Sequence, residues 1–107
     1  MKKIVITGSN GLLGQTLVNL LMKEPENYSV FGLSKGDNRM NRNDFLYYDI
    51  DITNHAQLEE CISYIQPSFI INTAAMTNVD TCEIKPKECN SLNIEAVKYL
   101  TQICAKL

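Results

Sequence analysis

Residues 3–15 read KIVITGSNGLLGQ, and this stretch decides the fold of the chain. Lys3–Thr7 is a short, β-branched run without polar alternation, which is typical of a central parallel strand covered on both faces. Three glycines follow at three-residue spacing, and apolar residues then recur at helical spacing until Pro25 and Asn27. The stretch therefore predicts a buried strand, a tight turn and an amphipathic helix. The apolar positions of that helix are Leu12, Leu13, Leu17, Leu20 and Leu21.

The rest of the chain continues to alternate between strand and helix patterns. Further strands are predicted at Tyr28–Leu33, Phe45–Tyr48 and Phe69–Asn72. Asn54, three residues before Gln57, predicts the start of a second helix, which Pro67 ends. Pro86 fits the first turn of a last helix. The apolar stripes of these two helices are Leu58, Cys61, Ile62 and Ile65, and Leu92, Val97, Leu100, Ile103 and Cys104.

This order of elements predicts an α/β fold, because strands that alternate with helices form parallel sheets with right-handed crossovers. The expected architecture is a Rossmann-type doubly wound parallel sheet, N-terminal half only, with strand order 3-2-1-4. Residues 1–107 form one domain, without repeats or linkers. The sequence ends with the helix that would lead to a fifth strand, and its fourth strand is expected to be an apolar edge that favours self-association.

Composition excludes several classes of function. Apolar residues make up 45% of the chain and charged residues 21%, as in a soluble globular protein. A net charge of -2 gives no basic surface for nucleic acid. No membrane span or secretory signal is recognisable, so a cytoplasmic location is expected. The four cysteines contain no Cys-x-x-Cys pair, which predicts free, mostly buried thiols and no metal site.

The glycine turn predicts a site for a dinucleotide's pyrophosphate. Gly8 permits the tight turn, Gly11 lets phosphates approach the backbone, and Gly14 lets the helix pack close to the strand. The first helical amides, at Leu12 and Leu13, would face the phosphates at the positive end of the helix dipole. A Walker A loop is excluded by the spacing, and the competing interpretation is that the glycines only shape a turn. The predicted cofactor-binding residues of this turn are Gly8, Asn10, Gly11, Leu12, Leu13 and Gly14.

The end of the second strand bears on which dinucleotide is bound. An acidic residue about 20 positions after the glycines takes the ribose hydroxyls of NAD, but here the count reaches Ser34 and then Lys35. A hydroxyl beside a cation suits a 2′-phosphate, so NADP(H) is favoured, with Arg39 as a further partner, and NAD is possible. Alternatively, Lys35 is a solvated loop residue, or Asp37 pairs with the ribose.

Two more groups of residues follow strands, where ligands bind in open parallel sheets. Asp51 can accept from an adenine amino group while Ile52 packs on the ring, although capping beside Thr53 is an equal alternative for Asp51. Thr73, Ala74 and Ala75 follow Asn72 at the end of the fourth strand, and the small side chains of Ala74 and Ala75 would let the backbone approach a ribose.

No catalytic residue is recognisable in the chain. Tyr99 is followed at the fourth position by Ile103 rather than by a lysine, so there is no Tyr-x-x-x-Lys pair. The tyrosines are therefore expected to be structural. His55 has no companion nucleophile or carboxylate motif and is expected to be a surface residue.

Four segments, TGSNGLLGQ, YYDIDIT, INTAAMTNVDTCE and NSLNIEAVKYL, resemble the extended short-chain dehydrogenases, most closely the dTDP-4-dehydrorhamnose reductase branch. The match covers the whole chain and departs from the family's pattern at Thr73, where Ala is typical, and at Met76, where Tyr is typical. The resemblance assigns Thr73, Ala74 and Ala75 to the remaining ribose region and Asn93 to the Asn that stabilises the active-site helix, and we count all four among the site residues. Without the resemblance, Asn93 is a polar position beside an apolar stripe.

The resemblance implies the cofactor-binding part of a reductase that acts on the 4-keto group of a nucleotide-linked deoxysugar, in dTDP-rhamnose biosynthesis. Its Tyr, Lys and Ser or Thr would come after Leu107, so this chain alone is expected to be inactive. Two alternatives are a non-catalytic NAD(P)-binding regulatory subunit and an NAD-dependent sugar-nucleotide epimerase or dehydratase.

Overall fold

The computed structural model describes residues 1–74, 87 and 94–106. Four strands and three helices follow one another in these ranges. The strands are β1 (Lys2–Thr7), β2 (Tyr28–Ser34), β3 (Leu46–Asp49) and β4 (Phe69–Asn72). The helices are α1 (Leu12–Leu21), α2 (His55–Ile65) and α3 (Ala96–Lys106). The elements predicted from the sequence are thus confirmed to within a residue or two, except that the predicted start of the last helix at Pro86 lies outside the described residues.

The four strands form one parallel sheet in the order β3-β2-β1-β4, as predicted. β1 is central: Ile4–Thr7 pair with Val30–Leu33 on one side and with Phe69–Asn72 on the other. Because all strands are parallel, the carboxyl ends of β1, β2, β3 and β4 lie along one edge of the sheet. This edge carries every predicted site residue that the structure describes.

Successive residues of a strand face opposite sides of the sheet, which divides the core into two clusters. On one face, Val5 and Leu33 pack with α2 and α3. On the other face, Ile4, Ile6 and Val30 pack against Val18 of α1. The sheet is therefore covered on both faces, as the β-branched run of β1 predicted.

β4 is less covered than its apolar sequence suggests. Ile70 packs against the α2 and α3 cluster, but Phe69 and Ile71, on the α1 face, are 53% and 36% exposed. Among the described elements, α1 packs mainly on β1 and β2. Self-association through this strand stays a prediction.

Two of the predicted apolar stripes need correction. In α3 the buried residues are Ala96, Leu100 and Ile103, whereas Val97 and Cys104 are exposed. Residues four and seven apart share a helix face, and residues 97 and 104 lie one position off that face. Leu92 is outside the described residues.

In α1, Gly14 and Val18 form the buried face, with Leu17 and Leu21 partly buried beside them. Leu12, Leu13 and Leu20 are exposed, so their place in the predicted stripe was wrong. The helix packs through its glycine rather than through its first leucines.

The cysteine prediction holds in part. Cys61 is a free, half-buried thiol whose pKa is raised by burial, while Cys104 is free but exposed, and so the expectation of burial was wrong for it. Cys82 and Cys89 lie outside the described residues. Within the described ranges, no helix is long and apolar enough to cross a membrane, and no cluster of side chains could hold a metal ion.

Candidate functional site

The glycine turn lies at the carboxyl end of the central strand, between β1 and α1. Gly8 has a φ of 75°, in the left-handed region, and a Cβ on it would lie 2.7 Å from the amide nitrogen of Ala74. A Cβ on Gly14 would lie only 2.1 Å from the carbonyl oxygen of Gly8. The first glycine therefore permits the turn and the last permits close packing of α1, as the sequence predicted.

The middle glycine differs from its two neighbours in the motif. Among the described residues, a Cβ on Gly11 would meet the Gly8 carbonyl, at 3.3 Å, and no other atom within 4 Å. Gly11 is also the N-cap of α1 and brings no side chain to bond the helical amides. The amides of Leu12 and Leu13 have no carbonyl one turn earlier to donate to, so this end of the helix can accept an anion.

β4 supports the turn through its last residues. The Thr73 hydroxyl donates to the carbonyl of Thr7 at 2.7 Å and lies 3.2 Å from that of Gly8. The buried Thr7 hydroxyl donates to the side-chain oxygen of Asn72, which also accepts from the Ala74 amide. Thr73, predicted near a ribose, thus has its hydroxyl directed to the turn. Its neighbour Ala75 lies outside the described residues, as does Asn93.

Asn10 lies in the turn, but its side chain is not free for a ligand. It is 9% exposed, and its Nδ2 donates to the carbonyl of Asp37 at 2.8 Å and to the hydroxyl of Tyr47 at 3.1 Å. Its Oδ1 accepts from the amide of Arg39 at 2.9 Å. The side chain of Asn10 therefore joins the glycine turn to the loop after β2, a role that the sequence did not reveal.

Tyr47, on β3, completes this connection. Its hydroxyl donates to the carbonyl of Gly36, lies 3.1 Å from the carbonyl of Ser34 and accepts from Asn10. Burial raises the pKa of this phenol, so it keeps its proton at neutral pH. Tyr47 is structural, as predicted, and its partners lie in the loop that was predicted to bind the ribose.

The loop itself presents the predicted ribose residues. Ser34 ends β2, and its Oγ lies 3.4 Å from the amide of Asn10. The Lys35 side chain is 81% exposed, with its Nζ 3.8 Å from a carboxylate oxygen of Asp51. Gly36, at a φ of 88°, donates its amide to the Asp49 carboxylate at 2.8 Å. The cation of Lys35 is thus available to an anion at the end of β2.

Asp51 performs a local structural role while part of its carboxylate remains accessible. One oxygen accepts from the amide of Thr53 at 3.0 Å and from its hydroxyl at 2.6 Å, and the other faces Lys35. The Thr53 hydroxyl bond is the main cause of the lowered pKa of Asp51, so the group is ionised at neutral pH. The cap of α2 itself is Asn54, whose side chain accepts from the amide of Gln57.

Ile52 is only 4% exposed and belongs to the core. Packing of an adenine ring on this residue would have to use the small part of its side chain that remains accessible. His55, expected at the surface, is half-buried: its ring stacks on Tyr99 at a centroid distance of 4.4 Å, and its Nε2 lies 3.7 Å from Glu59. It links α2 to α3 and lies apart from the glycine turn.

A concavity of about 640 Å³ lies between α1 and the loop before β3. It is lined by Gln15, Asn19 and residues 40–44. Arg42, its cation, is held by Asp44 through two bonds of 2.6 Å. Because this charge is already neutralised, the concavity offers less to a phosphate than the glycine turn does.

A parallel sheet with a glycine turn opening onto a helix N-terminus, at the carboxyl end of the central strand, defines a Rossmann-type fold. The model of the family described as the RmlD substrate binding domain matches residues 1–107, and the chain belongs to that family. The predicted resemblance to the extended short-chain dehydrogenases is thereby confirmed.

Similar proteins include named reductases. The chain is 32% identical over 102 residues to dTDP-4-dehydrorhamnose reductase from Aggregatibacter actinomycetemcomitans. The matched segment covers 95% of this chain and 30% of that protein. A solved structure of a hypothetical dTDP-4-dehydrorhamnose reductase from Sulfolobus tokodaii is 34% identical with a TM-score of 0.78, covering 94% of this chain and 34% of the other. The chain thus spans about a third of the length of these relatives.

The fold extends to more distant proteins. A Thermus thermophilus UDP-glucose 4-epimerase solved with NAD has a TM-score of 0.84 at 19% identity, over 97% of this chain and 34% of that one. At this identity the likeness supports the Rossmann-type architecture alone.

Proposed function

We propose that this chain is the dinucleotide-binding part of a nucleotide-sugar reductase that reduces a 4-keto-deoxysugar nucleotide, as its relatives' name suggests. The observation that carries the proposal is the N-terminus of α1: Gly11 has no side chain to bond the amides of Leu12 and Leu13, and among the described residues a Cβ on it would meet only the Gly8 carbonyl. Paired phosphates suit this position because helix dipole and free amides both favour negative charge.

We propose NADP(H) as the preferred cofactor, with its 2′-phosphate near Ser34, Lys35 and Arg39. Support comes from the exposed ammonium of Lys35 and from the absence of an acidic residue at the last position of β2, which is Ser34. Lys35 would exchange Asp51 for the more highly charged phosphate. Asp51 would then be free to accept from the adenine amino group.

In this proposal the bound cofactor supplies the hydride, and these 107 residues hold and orient it. The backbone of the glycine turn fixes the pyrophosphate, and Thr73 and Asn72 keep that backbone in place from β4. The proton donor belongs to a Tyr-x-x-x-Lys pair outside this sequence, which contains none. The domain interpretation, a cofactor-binding unit that precedes the catalytic pair, is part of the same proposal.

Calorimetric titration with NADPH and with NADH tests the proposal, with Gly11→Ala as the diagnostic variant. Within the described ranges the added methyl group meets one carbonyl, that of Gly8 at 3.3 Å, and it would lie beside the proposed phosphates. We expect the wild type to bind NADPH more tightly, and Gly11→Ala to lose at least tenfold in affinity for both dinucleotides while its melting temperature changes little.

Failure of both dinucleotides to bind would overturn the proposal. Tighter binding of NADH would overturn the NADP(H) preference and favour the epimerase or dehydratase alternative. Binding without turnover in a protein that carries no Tyr-x-x-x-Lys pair anywhere in its reading frame would favour the regulatory alternative.

A further inference from the structure

We infer that Asn10 and Tyr47 are positioning residues that set the selectivity between 2′-phosphorylated and unphosphorylated dinucleotides. The inference rests on the proposed function, since it concerns how the same site distinguishes NADPH from NADH. Together we call these two side chains the loop brace. Neither touches the ligand in this account; both act through the loop Ser34–Arg39.

The loop brace bonds the backbone of the loop at several points. The Asn10 side chain donates to the carbonyl of Asp37 and accepts from the amide of Arg39. Its Nδ2 also lies 3.5 Å from the carbonyl of Lys35. Tyr47 reaches the carbonyl of Gly36. Because these contacts are to backbone atoms, they fix the path of the loop without engaging the side chains of Lys35 and Arg39.

The same Asn10 belongs to the glycine turn. Its own carbonyl accepts from the side chain of Gln15 at 2.7 Å, and Gly11, the next residue, caps α1. One buried side chain therefore connects the pyrophosphate position with the residues proposed to meet the 2′-phosphate. The covalent structure of the dinucleotide limits the distance between these two positions, so a rigid connection favours the ligand whose phosphate falls at Lys35.

The inference is specific in its consequence for affinity. If the loop becomes more mobile, the ammonium of Lys35 is no longer held at one position. Its ion pair with the 2′-phosphate, which only NADPH can form, is then weaker. NADH, which lacks the 2′-phosphate, makes no such pair. The ratio of the two affinities should therefore fall, whereas a merely structural role would lower both affinities alike.

The test compares Tyr47→Phe with Tyr48→Phe in the intact protein. The two substitutions remove the same hydroxyl from adjacent residues of β3, but Tyr48 packs against the opposite cluster, with α2 and α3. We expect Tyr47→Phe to lower the ratio of NADPH to NADH affinity by about three- to tenfold, the effect of roughly one hydrogen bond. Tyr48→Phe should leave the ratio within about twofold of wild type on the same grounds.

Two smaller probes, 2′,5′-ADP and 5′-AMP, extend the test to the adenosine end alone. Tyr47→Phe should weaken 2′,5′-ADP and leave 5′-AMP unchanged. Asn10→Ala should lower both ratios further; if that variant does not fold, the Tyr47→Phe ratios decide. Wild-type ratios in Tyr47→Phe, or an equal fall with both ligands of each pair, would overturn the inference, whereas a wild type that binds no dinucleotide would overturn the proposed function itself.

Discussion

The glycine turn and the loop Ser34–Arg39 lie side by side at one edge of the sheet, yet they are built in different ways. The turn depends on missing side chains: Gly8 and Gly14 permit approaches that a Cβ would prevent. The loop depends on side chains from elsewhere in the chain, Asn10 and Tyr47, that bond its backbone. The first region is therefore intolerant of added atoms, and the second should be sensitive to lost hydrogen bonds.

The largest expected effect is that of Gly14→Ala. Its methyl group would lie 2.1 Å from the carbonyl oxygen of Gly8, a backbone atom that cannot rotate away. We expect a loss of about 3 kcal/mol or more in the free energy of unfolding, as in severe overpacking, with dinucleotide binding abolished. Urea denaturation of the variant and the wild type measures the loss in the free energy of unfolding.

Gly36→Ala is the matched control for this prediction. Gly36 has a φ of 88°, but no atom of the described residues lies within 4 Å of an added Cβ, so backbone strain of about 1–2 kcal/mol is the expected cost. Equal losses for the two variants would contradict the view that crowding, rather than conformation, governs Gly14.

Next in size is the effect of Lys35→Gln on cofactor choice. The substitution removes the cation near the proposed 2′-phosphate and keeps a side chain of similar length. NADPH affinity should fall by about tenfold, within the range for a charge-assisted bond, and NADH affinity should change by less than about twofold. Competition binding with both dinucleotides measures the two changes in affinity.

Lys23→Gln, an exposed residue after α1, serves as the control for the lost charge. A similar fall in NADPH affinity in that variant would indicate a general electrostatic effect. The loop would then have no specific part in selectivity.

Thr73→Val probes the support that β4 gives to the turn. The replacement keeps the shape but removes the hydroxyl that bonds the carbonyls of Thr7 and Gly8. We expect a loss of about 1 kcal/mol, since the Thr7 carbonyl retains the amide of Thr73 as a donor. In Thr101→Val, which removes an exposed bond within α3, stability should change by less than about 0.5 kcal/mol.

The smallest effect concerns Asp51 and pH. Its pKa in the folded chain lies below the ordinary value of 3.8, so its charge stabilises the fold above that value, and this contribution is lost as pH falls through the folded pKa. Asp51→Asn keeps an oxygen for the Thr53 amide but removes the charge. The stability difference between the two proteins should therefore be greatest above about pH 5 and shrink towards pH 2 in acid-unfolding curves. A difference that is independent of pH would contradict the role of the charge.

The contrast between the two regions also explains what the sequence could predict. The strand KIVIT, the spaced glycines and the helix are local patterns, and they were sufficient for the sheet order and for the roles of Gly8 and Gly14. The position of Ser34 and Lys35 at the end of β2 could be predicted by counting from the turn. Asn54 as the cap of α2 followed from its spacing to Gln57.

The loop brace could not be predicted, because its contacts join residues 11 to 37 positions apart. A buried Asn in a glycine turn and a Tyr on an edge strand carry no local signal of their pairing. The exposure of Leu12 and Leu13 was missed for a related reason: the helical period alone does not tell that α1 packs through Gly14. Ile52 was expected to be accessible to an adenine ring. Its burial in the cluster with α2 depends on how that helix packs on the sheet, which the local sequence does not show.

Amide chemical shifts during titration with NADPH test the central claim most directly. If the start of α1 holds the paired phosphates, the amides of Gly11, Leu12 and Leu13 should shift most, ahead of those of the loop Ser34–Arg39. Saturable binding that leaves these three amides unmoved, with the large shifts elsewhere in the chain, would contradict the account.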